Sequence, residues 1–149
     1  AQLSARLEAS LEIKEGSGDA VEAIRTFFID LADDKIIHSR DIALVVRELL
    51  DNVRRAKSAG RWYLKPFLEA LSRHLRSAEG WKAASDETAL AAVYQILGAI
   101  LYFAISRNTL REMFGPQVFE HLRSAHRRQL VDLIDRCLTS GPAMRGPVT

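Results

Sequence analysis

The chain has 149 residues, 48% of them hydrophobic and 27% charged, which is enough to bury a core without a disulfide or metal staple. Its 21 basic residues nearly balance 19 acidic ones and are interspersed with them, so composition argues against a nucleic-acid-binding surface. A single cysteine, Cys137, excludes an internal disulfide framework and fits a reducing cytoplasm, and no basic segment leads into an apolar one at the start to suggest secretion.

In chain order, Leu3, Leu7 and Leu11 recur every four residues with charged residues between them, which predicts an amphipathic helix ending near Gly16-Ser17-Gly18. Asp19 and Glu22 have the spacing of a capping box and open a second helix over 19–33, with Val21, Ile24, Phe27, Phe28 and Leu31 on its buried face. A third helix begins at Ser39 or Asp41, keeps the same period through Ile42, Val45, Val46, Leu49, Leu50 and Val53, and fades around Ser58 to Gly60. A fourth carries Trp62, Leu64, Phe67, Leu68, Leu71 and Leu75 and ends by Gly80, with Pro66 either in its first turn or kinking it.

Thr88 to Ile105 reads TALAAVYQILGAILYFAI and is the most uniformly apolar stretch. A helix that is apolar all round has no solvent face, so it belongs in a core, a subunit contact or a membrane. Gln95 in its middle, its length and its amphipathic neighbours argue against a membrane span, which takes about 20 apolar residues. Ser85 or Asp86 is expected to cap this helix and Asn108 to end it, with Leu110 to Phe114 as a separate turn stopped by Gly115. Pro116 then opens a last helix reaching about Thr139. Every long segment has a helical period and none alternates like a strand, which predicts an all-α domain of six or seven helices spanning 1–140, followed by a flexible tail over 141–149.

The sequence offers little for catalysis. His38, His74, His121 and His126 have no helical metal-pair spacing, and phosphate loops, CxxC and nucleophile-elbow motifs are absent. No enzyme activity, metal or cofactor is expected. Aromatic residues on three helices, with Gln95 as a polar anchor, suggest a mostly apolar small-molecule cavity lined by Phe27, Phe28, Leu31, Val46, Phe67, Leu71, Gln95 and Tyr102. On the central helix, Gly98 permits close approach beside Leu97, Leu101 and Ile105, and the last helix carries Phe119, Leu122, His126, Leu130, Leu133 and Ile134 in a stripe. Those ten positions are expected to form a two-fold homodimer interface, the alternative being that both helices pack together within one subunit.

The order of segments resembles the C-terminal regulatory domain of TetR-family transcriptional repressors. The likeness lies in RELL at Arg47 to Leu50, LKPFLEAL at Leu64 to Leu71, the central helix ending in YFAISRNTLREMFG, and HLRSAHRRQLVDLIDRCL at His121 to Leu138, and it covers nearly the whole chain. The family's N-terminal helix-turn-helix has no counterpart here, and the chain is expected to begin inside the helix that joins the two domains. The resemblance implies a cytoplasmic homodimer whose last two long helices form a four-helix bundle. It further implies a cavity for a small, often apolar effector, and contact with operator DNA only through the N-terminal domain. The other reading of the same features is a free-standing helical dimer that carries or sequesters an apolar molecule without touching DNA.

Overall fold

A computed structural model describes residues 20–33, 46–47 and 64–142. The first expected helix, around Leu3 to Leu11, and most of the third lie outside the described residues. All regular elements among the described residues are helical: α1 (Ala20–Leu31), α2 (Leu64–Ser77), a 3-10 turn (Glu79–Trp81), α3 (Asp86–Phe114) and α4 (Pro116–Ser140).

The inward face of α1 is formed by Ile24, Phe27, Phe28 and Leu31, all buried, as their three- and four-residue spacing requires. On α2, Leu64, Phe67, Leu71 and Leu75 are buried, and Phe27 sits against Phe28 and Phe67 at ring centroid distances of 5.8 and 6.0 Å. Val93, Ile96 and Ile100 of α3 and Leu130, Ile134 and Leu138 of α4 complete a single core. Pro66 lies in the first turn of α2, where its missing N–H breaks no internal hydrogen bond. Ser72, the buried polar residue of this core, donates its hydroxyl proton to the Leu68 carbonyl at 2.8 Å.

Long-range polar contacts help to fix α4 in place. Arg25 of α1 donates to Asp135 of α4 through Nε at 2.6 Å and Nη2 at 3.4 Å. The half-exposed pair sets register more than it adds stability. Trp81, buried in the 3-10 turn, donates its indole N–H to the Cys137 carbonyl at 2.9 Å, which holds the end of α4 against the α2–α3 connection.

The expected break at Asn108 is corrected: α3 runs unbroken through Asn108 to Phe114, and Leu110 to Phe114 is its last turn and a half rather than a separate segment. Asparagine is only a modestly poor helix residue, worth less than about 0.7 kcal/mol against alanine, and a continuing ladder outweighs it. The stop comes at Gly115, which has φ 80° and donates to the Arg111 carbonyl at 2.9 Å. Pro116 starts α4 at once, so two helices of 29 and 25 residues are joined by one glycine. The start of α3 is also specified locally: the Ser85 hydroxyl accepts from the Thr88 N–H at 3.2 Å, and Asp86 and Glu87 complement the helix N-terminus.

Candidate functional site

The residues expected to line an apolar cavity separate into two groups. Phe27, Phe28, Leu31, Phe67 and Leu71 are packed against one another and the rest of the core, and Val46 lies partly buried against it. Gln95 and Tyr102 are exposed, Tyr102 by 72%, which corrects their placement beside the phenylalanines. The reason is helical phase. At 100° per residue, Val93, Ile96 and Ile100 point inward, whereas Gln95 and Tyr102 fall on the opposite side of α3. A buried amide seeking a partner is therefore not the condition of Gln95.

The ten interface positions also divide. Leu97, Leu101, Phe119, Leu130 and Ile134 are buried within a single chain, because α3 and α4 pack on each other and on α1 and α2. Their side chains are spent on the core of their own chain. Leu122 and His126 are half-buried, and Gly98, Ile105 and Leu133 are exposed. Packing within the subunit thus uses one edge of each stripe and leaves the other in solvent.

What remains uncovered is large and regular. Ala91, Tyr94, Gly98, Tyr102 and Ile105 recur at intervals of three and four along α3 and are all exposed. Gly98 faces open space, with nothing within 4 Å of where a Cβ would stand. Leu90, Met113 and Phe114 on α3, and Val118 and Leu133 on α4, are further large apolar side chains with 38% to 66% exposure. Sequence reading named few of these, although the heptad-like spacing from Ala91 to Ile105 was visible in it. By length and composition α3 is also the one described helix that could cross a membrane, with 33% of its apolar window buried.

A separate cavity of about 200 Å³ opens between the end of α1, α3 and α4. Ile100, Leu130 and Ala32 form its apolar lining together with Phe103, and Arg107, Arg123, Arg127, Ser124 and His126 supply the polar groups. The His126 ring stacks on Phe103 at 3.9 Å and 10°, and Phe103 lies parallel to Phe119 at 6.3 Å. Burial holds the His126 imidazole below its ordinary pKa, and a hydrogen bond to the Ala99 backbone opposes this in part. Arg123 also pairs with Glu120 at 2.8 Å on the same helix. None of the arginines was singled out from sequence, though Arg123 and Arg127 are spaced i, i+4 around the apolar positions of α4.

Other groups hold structural posts. Burial raises the pKa of the Cys137 thiol, which disfavours the reactive thiolate. The Glu87 carboxyl is held below its usual range by its own backbone N–H and the Ser85 hydroxyl. Among the described residues, no three His, Cys, Asp or Glu side chains group as a metal site. No family model, curated protein or solved structure matches the chain.

Proposed function

We propose that this chain is the dimerisation and effector-binding domain of a TetR-like transcriptional regulator, acting in the cytoplasm as a homodimer and controlling DNA binding by a helix-turn-helix unit. The observation that carries the reading is the uncovered apolar face of α3 and α4. Tyr94, Tyr102 and Ile105 of α3 and Val118 and Leu133 of α4 are exposed on two long helices packed against each other. A patch of this kind on a soluble monomer marks an interface. A second copy is its natural cover, since two-fold symmetry brings each stripe against the same stripe of its partner and closes a four-helix bundle. Gly98, open to solvent, is where the two α3 backbones approach most closely.

Beside it stands the order of segments on which the resemblance to that family's regulatory domain rests. In such a dimer, effector binding moves the helices that lead to the DNA-binding units, and a small change in their spacing spoils the fit to two half-sites about one DNA turn apart.

The product of the complete reading frame tests the role. A three-helix DNA-binding unit preceding Ala1, with operator binding that depends on dimerisation and responds to a small molecule, is the expected result. A product that binds no DNA refutes the regulator reading.

A further inference from the structure

We propose that two copies of the chain meet with their α3 helices antiparallel and the two-fold axis passing at Gly98, so that Tyr94 packs on the partner's Tyr102 and Ala91 on the partner's Ile105. This register rests on the homodimer reading above and fixes a direction that reading leaves open. The exposed stripe of Ala91, Tyr94, Gly98, Tyr102 and Ile105 continues to exposed Glu87 at one end and exposed Thr109 at the other. Its spacing is symmetric about Gly98, with a member four, seven and eleven residues away on either side. At about 100° per residue the whole stripe stays within about 40° of the Gly98 direction, so it runs straight along α3 and suits a helix laid alongside it.

Two-fold symmetry permits two directions, and side-chain charge and size choose between them. Were the helices parallel, each residue would meet its own copy. The Glu87 carboxyl, held below its usual range by its own backbone N–H and the Ser85 hydroxyl, would then face a second carboxylate, and like charges directly opposed are destabilising. Ala91 against Ala91 would leave a gap that Ile105 against Ile105 props open. In the antiparallel direction, positions equally far from Gly98 meet. Glu87 faces the partner's Thr109, whose hydroxyl donates to a carboxylate, and small Ala91 faces larger Ile105. The helix dipoles also oppose one another. Gly98 alone meets itself, and nothing lies within 4 Å of where its Cβ would stand, so the backbones approach there while a tyrosine pair closes over each side.

Thiol cross-linking tests the register. In a chain carrying Cys137→Ser, which removes the native thiol, Ala91→Cys and Ile105→Cys are made as separate single variants at the ends of the stripe, where they spare the tyrosine contacts. They are oxidised alone and after mixing to exchange subunits. Antiparallel packing sets Cys at 91 opposite Cys at 105, but keeps two copies of either one about 21 Å apart along the helix, and a disulfide needs Cα atoms within about 7 Å. The mixture should therefore give a disulfide-linked dimer, and each variant alone should not. Linkage of each variant with itself as strong as in the mixture means a parallel pair and overturns the proposal. Sedimentation separates the remaining failures: a dimer that does not link in the mixture overturns the register and leaves the homodimer standing, whereas a wild-type monomer removes both.

Discussion

Replacing Tyr102 by glutamate attacks the proposed dimer without touching the core. Tyr102 is 72% exposed in the single chain, so its removal leaves no internal cavity. A tyrosine that buries about 200 Å² in full has about 140 Å² still to cover here. If a partner covers half of that at about 25 cal/mol per Å², the contact contributes somewhat under 2 kcal/mol per copy, and symmetry doubles it. Losing about 3 kcal/mol weakens the dimer on the order of 100-fold, before the cost of desolvating two carboxylates is added. Sedimentation across a micromolar dilution series should show a wild-type dimer and a monomeric Tyr102→Glu with unchanged helicity. Leu130→Glu is the contrasting case. Leu130 is 5% exposed and belongs to the core, so a carboxylate there should cost helical structure itself rather than release a folded monomer. A wild-type monomer, or a Tyr102→Glu dimer as tight as wild type, refutes the assignment of this face.

Three further outcomes follow from local geometry. Ser85→Ala removes the cap of α3 and should lower stability by about 1 kcal/mol in denaturant unfolding. Because burial depresses the folded-state pKa of His126, the unfolded chain takes up the proton first as pH falls below about 6.5, so stability should decline from there down to the folded pKa and be flat above. Unfolding midpoints measured across that range should show the slope, and His126→Gln should remove it. Gly115 and Gly141 have φ 80° and 68°, where a side chain costs about 1–3 kcal/mol, but only at Gly141 would a Cβ also collide with a backbone carbonyl, that of Gly80. Thermal melts should therefore rank Gly141→Ala below Gly115→Ala, and the reverse order would contradict the close approach of the two chain segments.

Helical class and most described helix boundaries were legible because they depend on local signals. Pro116 opening α4, Gly115 before it, a cap of α3 at Ser85 or Asp86, and the inward phase of Ile24, Phe27, Phe28 and Leu31 could all be read directly. Two kinds of error had physical causes. Asn108 looked like a stop because propensity is summed residue by residue, whereas a helix already held by packing runs through one poor position. Gln95 looked buried because a helix apolar all round conceals which side meets the core, and only the packing partners of Val93 and Ile96 decide it. The arginine-lined cavity was invisible for a related reason. Arg107 and Arg123 belong to different helices, and each taken alone is an ordinary charged position on an amphipathic surface.

The Arg25–Asp135 pair has a consequence for how the molecule comes into being. At about 5–20 residues per second, a ribosome makes Asp135 roughly 5 to 20 s after Arg25. Throughout that interval α1 lacks α4, and the Phe27–Phe28 face has only part of its final cover. The last helix therefore acts as the closing piece of a structure whose early members wait for it, and the nascent chain offers chaperones an aromatic face that the finished protein hides.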